Sequence, residues 1–379
     1  MRCKIVMMIR SFLPVGQGAF YCEQFMDDLK REWVNVVYDC GSSTNVKLVE
    51  EQIKNNFEKD EIIHAVFISH LDEDHINGIP FLLKYCKVKK IFFPLLTEEN
   101  AKYLRLYNLI KYNGRESFTS LFARNPYEAL NYLNIGYSPS LYQIRETEES
   151  YSVIDVRGIS SGENIVGTIF ERTLNNDYMC EEWAYIPYNF RQTDRLRRLH
   201  EELNRVFLSE MNNEDIQEIW EKGTESNREK IKNAYKAIGG SFNTNSMTLY
   251  SGMKEQYFRQ SIVDTSYCGE YCNRNFKNAG CLYLGDYDAS GKFKWQNLVQ
   301  AYDIYWKNIG CIQIPHHGSK YNYNKELGKL NAYCIISAGM NNRYQHPHSM
   351  VIKDLLFNGN FPHIVTENKS SEIHLVINV

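Results

Sequence analysis

A cluster of potential metal ligands follows an apolar run near position 70. His70, Asp72, Asp74 and His75 lie within six positions, directly after the apolar segment 62–68. Imidazole nitrogens and carboxylate oxygens are ligands for divalent cations, and alternate residues of an extended loop can point the same way. The spacing predicts a metal site at a strand end, with enough ligands for two ions. The alternative is a solvated acidic turn in which these side chains form hydrogen bonds within the turn and bind no metal.

Six further motifs accompany this segment in a fixed order along the chain. They are VGQG at 15–18, VYDCG at 37–41, NTNS at 243–246, LGD at 284–286, PHHGS at 315–319 and NNRYQHPH at 341–348. Together they resemble the metallo-β-lactamase superfamily, whose HxHxDH motif stands here as HxDxDH, and in particular the hydrolase domain of ComEC-type competence proteins. The resemblance covers about residues 1–95 and 241–379. Two departures are Ala19, where that family has an acidic residue, and the lack of the competence channel's long apolar spans.

The resemblance implies a pair of divalent metal ions, Zn²⁺ or Mn²⁺. The implied ligands are His70, Asp72, Asp74, His75, Asp286 and one of His316 and His317. The first two would hold one ion, the next two the other, and Asp286 would bridge both. The sequence does not choose between the two histidines of the PHHGS motif. A carboxylate at position 72 in place of an imidazole favours a harder ion such as Mn²⁺, while Zn²⁺ stays an alternative.

Other motif residues are expected around these ligands. Asp39 would orient a ligand histidine, as carboxylates commonly do around metals; the alternative is an aspartate that only bonds its own turn. Asn243 stands where the wider superfamily places a third histidine, and its amide oxygen is a weak ligand. Three more residues are predicted to surround the site or contact substrate, with a surface ion pair as the alternative for the arginine: Ser319, Asn341 and Arg343.

The predicted catalytic residues are Asp74, His346 and His348. The two histidines flank Pro347, and either could bind a phosphate or protonate a leaving oxygen, a task that suits a group with a pKa of about 6.5. The alternative is a pair of ordinary loop histidines. No nucleophilic side chain is required, because divalent ions activate water.

Strand-like and helical patterns alternate along the chain, which predicts an α/β protein. The strand-like runs are 4–9, 33–38, 62–68, 90–93, 247–250, 281–285, 311–314, 333–337, 363–366 and 373–378. The resemblance implies a metallo-β-lactamase αββα sandwich with metals at one edge. We expect residues 1–379 to form one such domain, with a largely helical inserted subdomain over 97–240.

The predicted insertion carries a basic helix. Leu196, Leu199 and Leu203 recur at helical spacing, and arginines stand at 191, 195, 197, 198 and 205. These arginines are either a solvated helix face or a patch that contacts phosphates. A wide basic groove would favour a polymer substrate, and a closed pocket of Tyr and Trp a small one.

Composition is that of a soluble enzyme. The 379 residues are 43% hydrophobic, enough for a large core, and no stretch approaches the ~20 apolar residues of a membrane span. The segment 5–9 reads as a first strand rather than a signal sequence. The ten cysteines lie mostly in apolar runs without a CxxC pair, which predicts free thiols and a cytoplasmic location. A net charge of −3 gives no overall attraction to nucleic acid.

The function that these observations predict is a dinuclear metal-dependent phosphodiesterase, a nuclease acting on DNA, with defence against foreign DNA as a candidate role. The expected partners are DNA or another phosphodiester, with no membrane; an operon-encoded protein partner and the oligomeric state stay open. One alternative is a metallohydrolase of a small molecule, such as a cyclic nucleotide, a phosphorylcholine-type ester or a lactone. A second is a non-enzymatic sensor or partner-binding subunit.

Overall fold

The computed structural model describes residues 7–27, 32–95, 101, 104, 117–146, 156–170, 182–191, 194–210, 213–238, 245–255, 261–264 and 278–378. The described residues form sixteen strands in two sheets. In chain order the strands are β1 Met7–Phe12, β2 Gly18–Asp27, β3 Glu32–Ser42, β4 Ile62–Phe67, β5 Lys87–Val88, β6 Lys90–Pro94, β7 Ser140–Arg145, β8 Arg157–Ser160, β9 Trp183–Arg191, β10 Asn245–Met253, β11 Ser261–Asp264, β12 Gly280–Tyr283, β13 Ile309–Gln313, β14 Tyr333–Ser337, β15 Pro362–Val365 and β16 Ile373–Asn378.

The described residues also form twelve helices. They are α1 Val46–Asn56, α2 Glu73–Ile76, α3 Ile79–Tyr85, α4 Phe118–Arg124, α5 Pro126–Leu133, α6 Val166–Phe170, α7 Asp194–Phe207, α8 Asn213–Lys222, α9 Glu225–Ile238, α10 Lys292–Ala301, α11 Lys325–Gly328 and α12 Ser349–Phe357. Short 3-10 turns lie at Asp303–Asn308, His316–Gly318 and Lys369–Ser371. Among the described residues, no helix combines the length and apolar character that a membrane span needs.

The two sheets enclose a core of aromatic and aliphatic side chains. The first sheet has the order β11-β16-β1-β2-β3-β4-β6-β7-β8, with β5 beside β4, and the second has the order β15-β14-β13-β12-β10-β9. Tyr38 of the first sheet stacks on Tyr283 of the second, with ring centroids 4.8 Å apart. A second core lies under α1, α3, α4 and α5 on the outer face of the first sheet, and a third lies outside the second sheet. The result is the four-layer arrangement that the sequence predicts.

A buried ion pair between Arg10 and Glu23 lies in the inner core and contacts both sheets. Arg10 and Glu23 lie on adjacent strands of the first sheet, and the Nε of Arg10 donates to Glu23 at 2.8 Å. Three hydroxyl groups of the second sheet also donate to the Glu23 carboxylate, namely those of Tyr185, Ser251 and Tyr283. Both oxygens of this buried carboxylate are satisfied, and their partners come from both sheets, so the network helps to set how the sheets face each other.

Parallel strands bring the predicted motifs to one edge. Strands β3, β4 and β6 run parallel to one another, as do β12, β13 and β14. The carboxyl ends of parallel strands meet at the same edge of a sheet, where ligands commonly bind. The loops after β4, β12, β13 and β14 carry the HxDxDH, LGD, PHHGS and NNRYQHPH motifs. Both sheets therefore contribute motif loops at this edge.

The segment 97–240 contributes to both sheets. Within it, β7 and β8 extend the first sheet beyond β6, and β9 pairs with β10 in the second sheet. The helical part is α7, α8 and α9, which pack on one another around Leu199, Leu203, Ile216, Ile231 and Tyr235. The inserted subdomain over the full 97–240 stays a prediction, and the described helices with a core of their own span 194–238.

The strands on either side of this three-helix unit are neighbours. Strands β9 and β10 are antiparallel, and their last residue pair is Arg191 with Asn245. Antiparallel neighbours need only a short turn to be joined. The geometry of the sheet therefore does not require the helices.

We predict that deleting residues 194–238 leaves a folded sandwich, with residues 192–193 and 239–244 joining β9 to β10. The variant should retain a cooperative thermal unfolding transition by circular dichroism, because the deleted helices share a core of their own. Deleting α4 and α5 is the matched comparison, since Leu121, Phe122 and Leu130 belong to the core of the sandwich. That second deletion should abolish cooperative unfolding. Loss of cooperativity in the first variant would show that the three helices hold the sheets together.

Candidate metal centre

Helix α2 places two of the predicted ligands. It begins directly after Asp72, whose side chain does not cap the helix, and it carries Asp74 and His75. The helix packs so closely on β3 that a Cβ at Gly41 would lie 2.6 Å from the backbone nitrogen of His75. Real Cβ atoms do not approach that closely, so the glycine of the VYDCG motif is needed for this contact.

Asp39 orients the histidines. It is fully buried at the end region of β3, and its carboxylate accepts hydrogen bonds from the Ser69 backbone N–H, the Ser69 hydroxyl and the Nδ1 of His75, each at 2.7 Å. The Nδ1 of His70 donates in turn to the Ser69 hydroxyl at 2.8 Å. With both Nδ1 atoms engaged, the Nε2 atoms of His70 and His75 are left to face the centre. They lie 3.6 and 3.4 Å from carboxylate oxygens of Asp286.

The two histidines of the PHHGS motif have different surroundings. The Nδ1 of His317 donates to the Ser337 carbonyl at 2.8 Å, so its Nε2 faces Asp74 at 3.4 Å. His316 turns its Nδ1 toward Asp286 at 3.5 Å and is more exposed than His317. The backbone hydrogen bond and the deep burial of His317 favour it as the ligand of this pair.

The donor atoms fit a divalent cation. Among the described residues, two groups of three side chains have their donor atoms within 4.8 Å of one another. One is His70, His75 and Asp286, and the other is Asp74, His75 and His317. Among the described residues, several buried atoms of the centre have no hydrogen-bond partner: Nε2 of His70, His75 and His317, and Oδ1 of Asp286. Buried polar atoms without partners are costly, and two donors that share an ion at about 2.1 Å lie roughly 3–4 Å apart. The arrangement of lone pairs is therefore one that a cation satisfies.

Charges in the centre are strongly coupled. Burial alone would raise the pKa of Asp286 and Asp74, but nearby histidines outweigh it and hold the pKa of both carboxyl groups below the usual range. Burial would lower the pKa of His75, yet Asp39 and Asp286 raise it well above its ordinary value. Burial and the neighbouring His75 lower the pKa of His70 to about 3. A cation binding here requires His75 to lose its proton, so binding is coupled to proton release.

Asp72 and His346 complete the surroundings of the centre. The Asp72 carboxylate lies 3.9 Å from the Nε2 of His70, as expected of residues that share an ion. The ring of His346 lies 5.7 Å from that of His316 and 6.3 Å from that of His317, between centroids. Burial lowers the pKa of His346 to about 4, and its buried Nδ1 has no partner. A neutral ring can donate one N–H but carries no second proton.

The remaining predicted site residues differ in their burial and in their hydrogen-bond partners. Asn243 is outside the described residues. His348 accepts the Met350 N–H as the cap of α12, so its Nδ1 is used in holding the helix. Ser319 is a buried turn residue, and Asn341 is exposed. Arg343 is exposed and donates to the hydroxyl of the adjacent tyrosine. The catalytic and substrate roles assigned to these residues stay predictions.

Two residues that the motif analysis left without a role organise the site. Ser69 links Asp39 to His70 through its hydroxyl group. Its position directly before His70 is the only feature of the sequence that suggests this role. Asn342 accepts from the His346 N–H and donates to the carbonyls of His346 and Gly339, which shapes the loop that presents His346. Asn342 lies inside the NNRYQHPH motif, but its hydrogen bonds within that loop are not visible in sequence.

On the basic helix of the insertion, glutamates offset the positive charge of some of the arginines. Arg197 pairs with Glu201, and Arg205 pairs with the half-buried Glu202. Arg198 is exposed. The side chains of Arg191 and Arg195 are outside the described residues. The proposed phosphate-contacting patch stays a prediction, on a helix where two of the three arginines with described side chains are paired with glutamates.

Residues 34–105 match the family model of the metallo-beta-lactamase superfamily. This match includes β3, the Asp39 end of that strand and the whole HxDxDH segment. Residues 34–105 therefore belong to a metallo-β-lactamase superfamily domain. Its two sheets and flanking helices are those of the metallo-β-lactamase fold, so the predicted fold class is confirmed.

Several solved structures resemble the superfamily domain at low similarity. Unliganded yeast PDE1 is 10% identical over 98% of this chain and 99% of its own, with a TM-score of 0.39. MEM-A1, a subclass B3 metallo-beta-lactamase from a soil metagenome library, is 9% identical over 80% of this chain and 77% of its own, with a TM-score of 0.31. The metallo-beta-lactamase SMB-1 in complex with mercaptoacetic acid is 11% identical over 80% of this chain and 75% of its own, with a TM-score of 0.29. Likeness this weak carries no conclusion about activity. No curated protein matches the sequence.

We predict that Asp39→Asn weakens divalent-metal affinity by about 10–100-fold, the usual cost of losing a carboxylate that orients a ligand histidine. Calorimetric titration of the chelated protein with Mn²⁺ or Zn²⁺ measures the change. Asp60→Asn is the matched control, because Asp60 also has a positive φ but is exposed and far from the ligands. Equal affinities for the two variants would mean that Asp39 does not orient a metal ligand.

Proposed function

We propose that the chain is a metal-dependent phosphodiesterase with two divalent ions, and that nucleic acid, DNA foremost, is its substrate. The observation that carries the proposal is the convergence of unpartnered imidazole nitrogens and carboxylate oxygens at one edge of the sandwich. The two neighbouring donor groups together contain five residues, which with Asp72 are enough ligands for two ions, and the one free nitrogen of His75 would go to one of them. The choice of DNA rests on the resemblance of the motifs to the ComEC-type hydrolase domain.

Six residues would hold the ions: His70, Asp72, Asp74, His75, Asp286 and His317. When bound, divalent ions neutralise charge on phosphoryl oxygens and bring the pKa of water near neutrality. Asp39 keeps the imidazoles aimed at the centre, directly for His75 and through Ser69 for His70. Three carboxylates among the ligands offset most of the charge of two divalent ions, so an anionic phosphodiester meets only a modest net positive charge.

His346 is the side chain best placed to act on a bound phosphodiester. Its ring is beside His316 and His317, and Asn342 holds the loop that carries it. With a neutral ring, His346 donates one hydrogen bond to a phosphoryl or leaving oxygen. Its contribution is expected in turnover rather than in metal binding.

We predict that Asp286→Asn abolishes hydrolysis of bis-p-nitrophenyl phosphate and lowers the metal content, because it removes a carboxylate charge that lies 3.6 and 3.4 Å from the Nε2 atoms of His70 and His75. His346→Ala should keep its metal and slow turnover by about 10²–10³-fold, the usual cost of losing one hydrogen bond to the charge of the transition state. Elemental analysis and steady-state kinetics separate the two effects. His64→Ala, a histidine in the amino-terminal half of β4, is the control and should behave as the parent protein. Metal loss in the His346 variant would reassign that residue to the ligands.

We predict that Mn²⁺ restores activity to the chelated protein better than Zn²⁺ does. Three of the six proposed ligands are carboxylates, and oxygen donors suit Mn²⁺ better than an all-imidazole site would. The measurement is kcat against metal concentration for each ion. Equal or better rescue by Zn²⁺ over the whole range would contradict the argument from donor type.

A further inference from the structure

Two exposed tyrosines stand on the loops that carry the candidate centre. Tyr321 follows His317 by four positions and has 73% of its surface exposed. Tyr344 precedes His346 by two positions and is 55% exposed. A tyrosine kept for packing is buried, as Tyr323 is two positions after Tyr321. Both rings are therefore accessible to a molecule outside the chain, on loops that carry predicted ligands.

The ring of Tyr344 connects to the centre through near-parallel rings. Its centroid lies 5.7 Å from that of His346, with an angle of 24° between the planes. The ring of His346 lies 6.3 Å from that of His317, at 25°. Three rings of similar orientation thus lead from solvent to the proposed ligand His317. A planar group bound at Tyr344 would thus be separated from His317 by the single ring of His346.

Each exposed ring is paired with a cation. The guanidinium carbon of Arg343 lies 4.8 Å from the ring centre of Tyr344, and its Nη2 donates to the Tyr344 hydroxyl at 2.6 Å. The Nζ of Lys320 lies 4.9 Å from the ring centre of Tyr321. A flat aromatic or guanidinium surface binds a base, and an adjacent positive charge binds a phosphate. Nucleotides present these two groups at neighbouring positions.

Resting on the phosphodiesterase activity proposed above, we infer that Tyr321 and the Arg343–Tyr344 pair contact nucleobases on either side of the phosphate that is cleaved. These residues determine specificity and take no part in bond breaking. The substrate is then a nucleic-acid strand whose bases are unpaired, because bases inside a duplex do not offer their faces to side chains. A phosphodiester without bases lacks these contacts.

The experiment compares two single-stranded oligodeoxynucleotides of equal length, one with bases and one with abasic tetrahydrofuran residues, on the Mn²⁺-loaded protein. The measured quantity is the ratio of kcat/KM for the base-bearing strand to that for the abasic strand. Each stacked base contributes a factor of about 5–150 by alanine substitution. We expect the parent protein to favour the base-bearing strand and Tyr321→Ala to reduce the ratio by a factor in that range.

Conservative and distant variants separate a base contact from a general effect. Tyr321→Phe keeps the ring and should keep the ratio of the parent protein. Tyr132→Ala removes a tyrosine that is 78% exposed on α5 and should leave the ratio unchanged. Tyr344→Leu should lower the ratio, and Tyr344→Phe should keep most of it because the stacking surface survives.

Two results overturn the inference, and they differ from each other. If both strands are cleaved and the ratio is the same in the parent, Tyr321→Ala and Tyr344→Leu proteins, the bases are not contacted, although the phosphodiesterase activity stands. If neither strand nor bis-p-nitrophenyl phosphate is cleaved with any metal, the proposed function fails and the inference fails with it.

Discussion

The centre depends on one buried carboxylate. Asp39 is fully enclosed, and burial raises the pKa of its carboxyl group, opposed by hydrogen bonds from His75 and Ser69. These bonds join the end of β3, the end of β4 and helix α2. A carboxylate left without them in this environment would cost several kcal/mol. The same three bonds that stabilise the charge therefore fix the positions from which His70 and His75 face the centre.

Sequence reasoning can name the proposed donors because they are concentrated in short motifs. It does not find β2, since that strand carries Glu23 facing the inner core, and a buried charge breaks the apolar alternation that marks a strand. The partners that make Glu23 acceptable are Arg10 on the neighbouring strand and hydroxyl groups on the opposite sheet. Such compensation across large sequence separations is visible only in three dimensions.

The same limit applies inside the site. The sequence leaves His316 and His317 equivalent, because what distinguishes them is a hydrogen bond from His317 to a carbonyl of β14 twenty positions away. It also presents 97–240 as an interruption, because β7, β8 and β9 are separated by helical and polar segments and pair with strands distant in the chain. The six proposed donors, by contrast, follow from local spacing and from parallel strand ends. Local spacing therefore suggests which residues could be donors, and long-range pairing determines the positions of their side chains.

Four residues of the motif loops have backbones in the left-handed region. They are Asp39, His316, His317 and Gln345, with φ of 55°, 49°, 55° and 59°. Asp and His tolerate this region better than most residues, yet each such position costs on the order of 1–3 kcal/mol. The loops at the centre are therefore a weak point in the stability of the protein. A cation that binds His317 and the other proposed ligands would stabilise the folded protein by RT ln(1 + [L]/Kd) and so offset this strain. The melting temperature should thus rise with the concentration of free divalent cation, and resistance to proteolysis should follow the supply of metal.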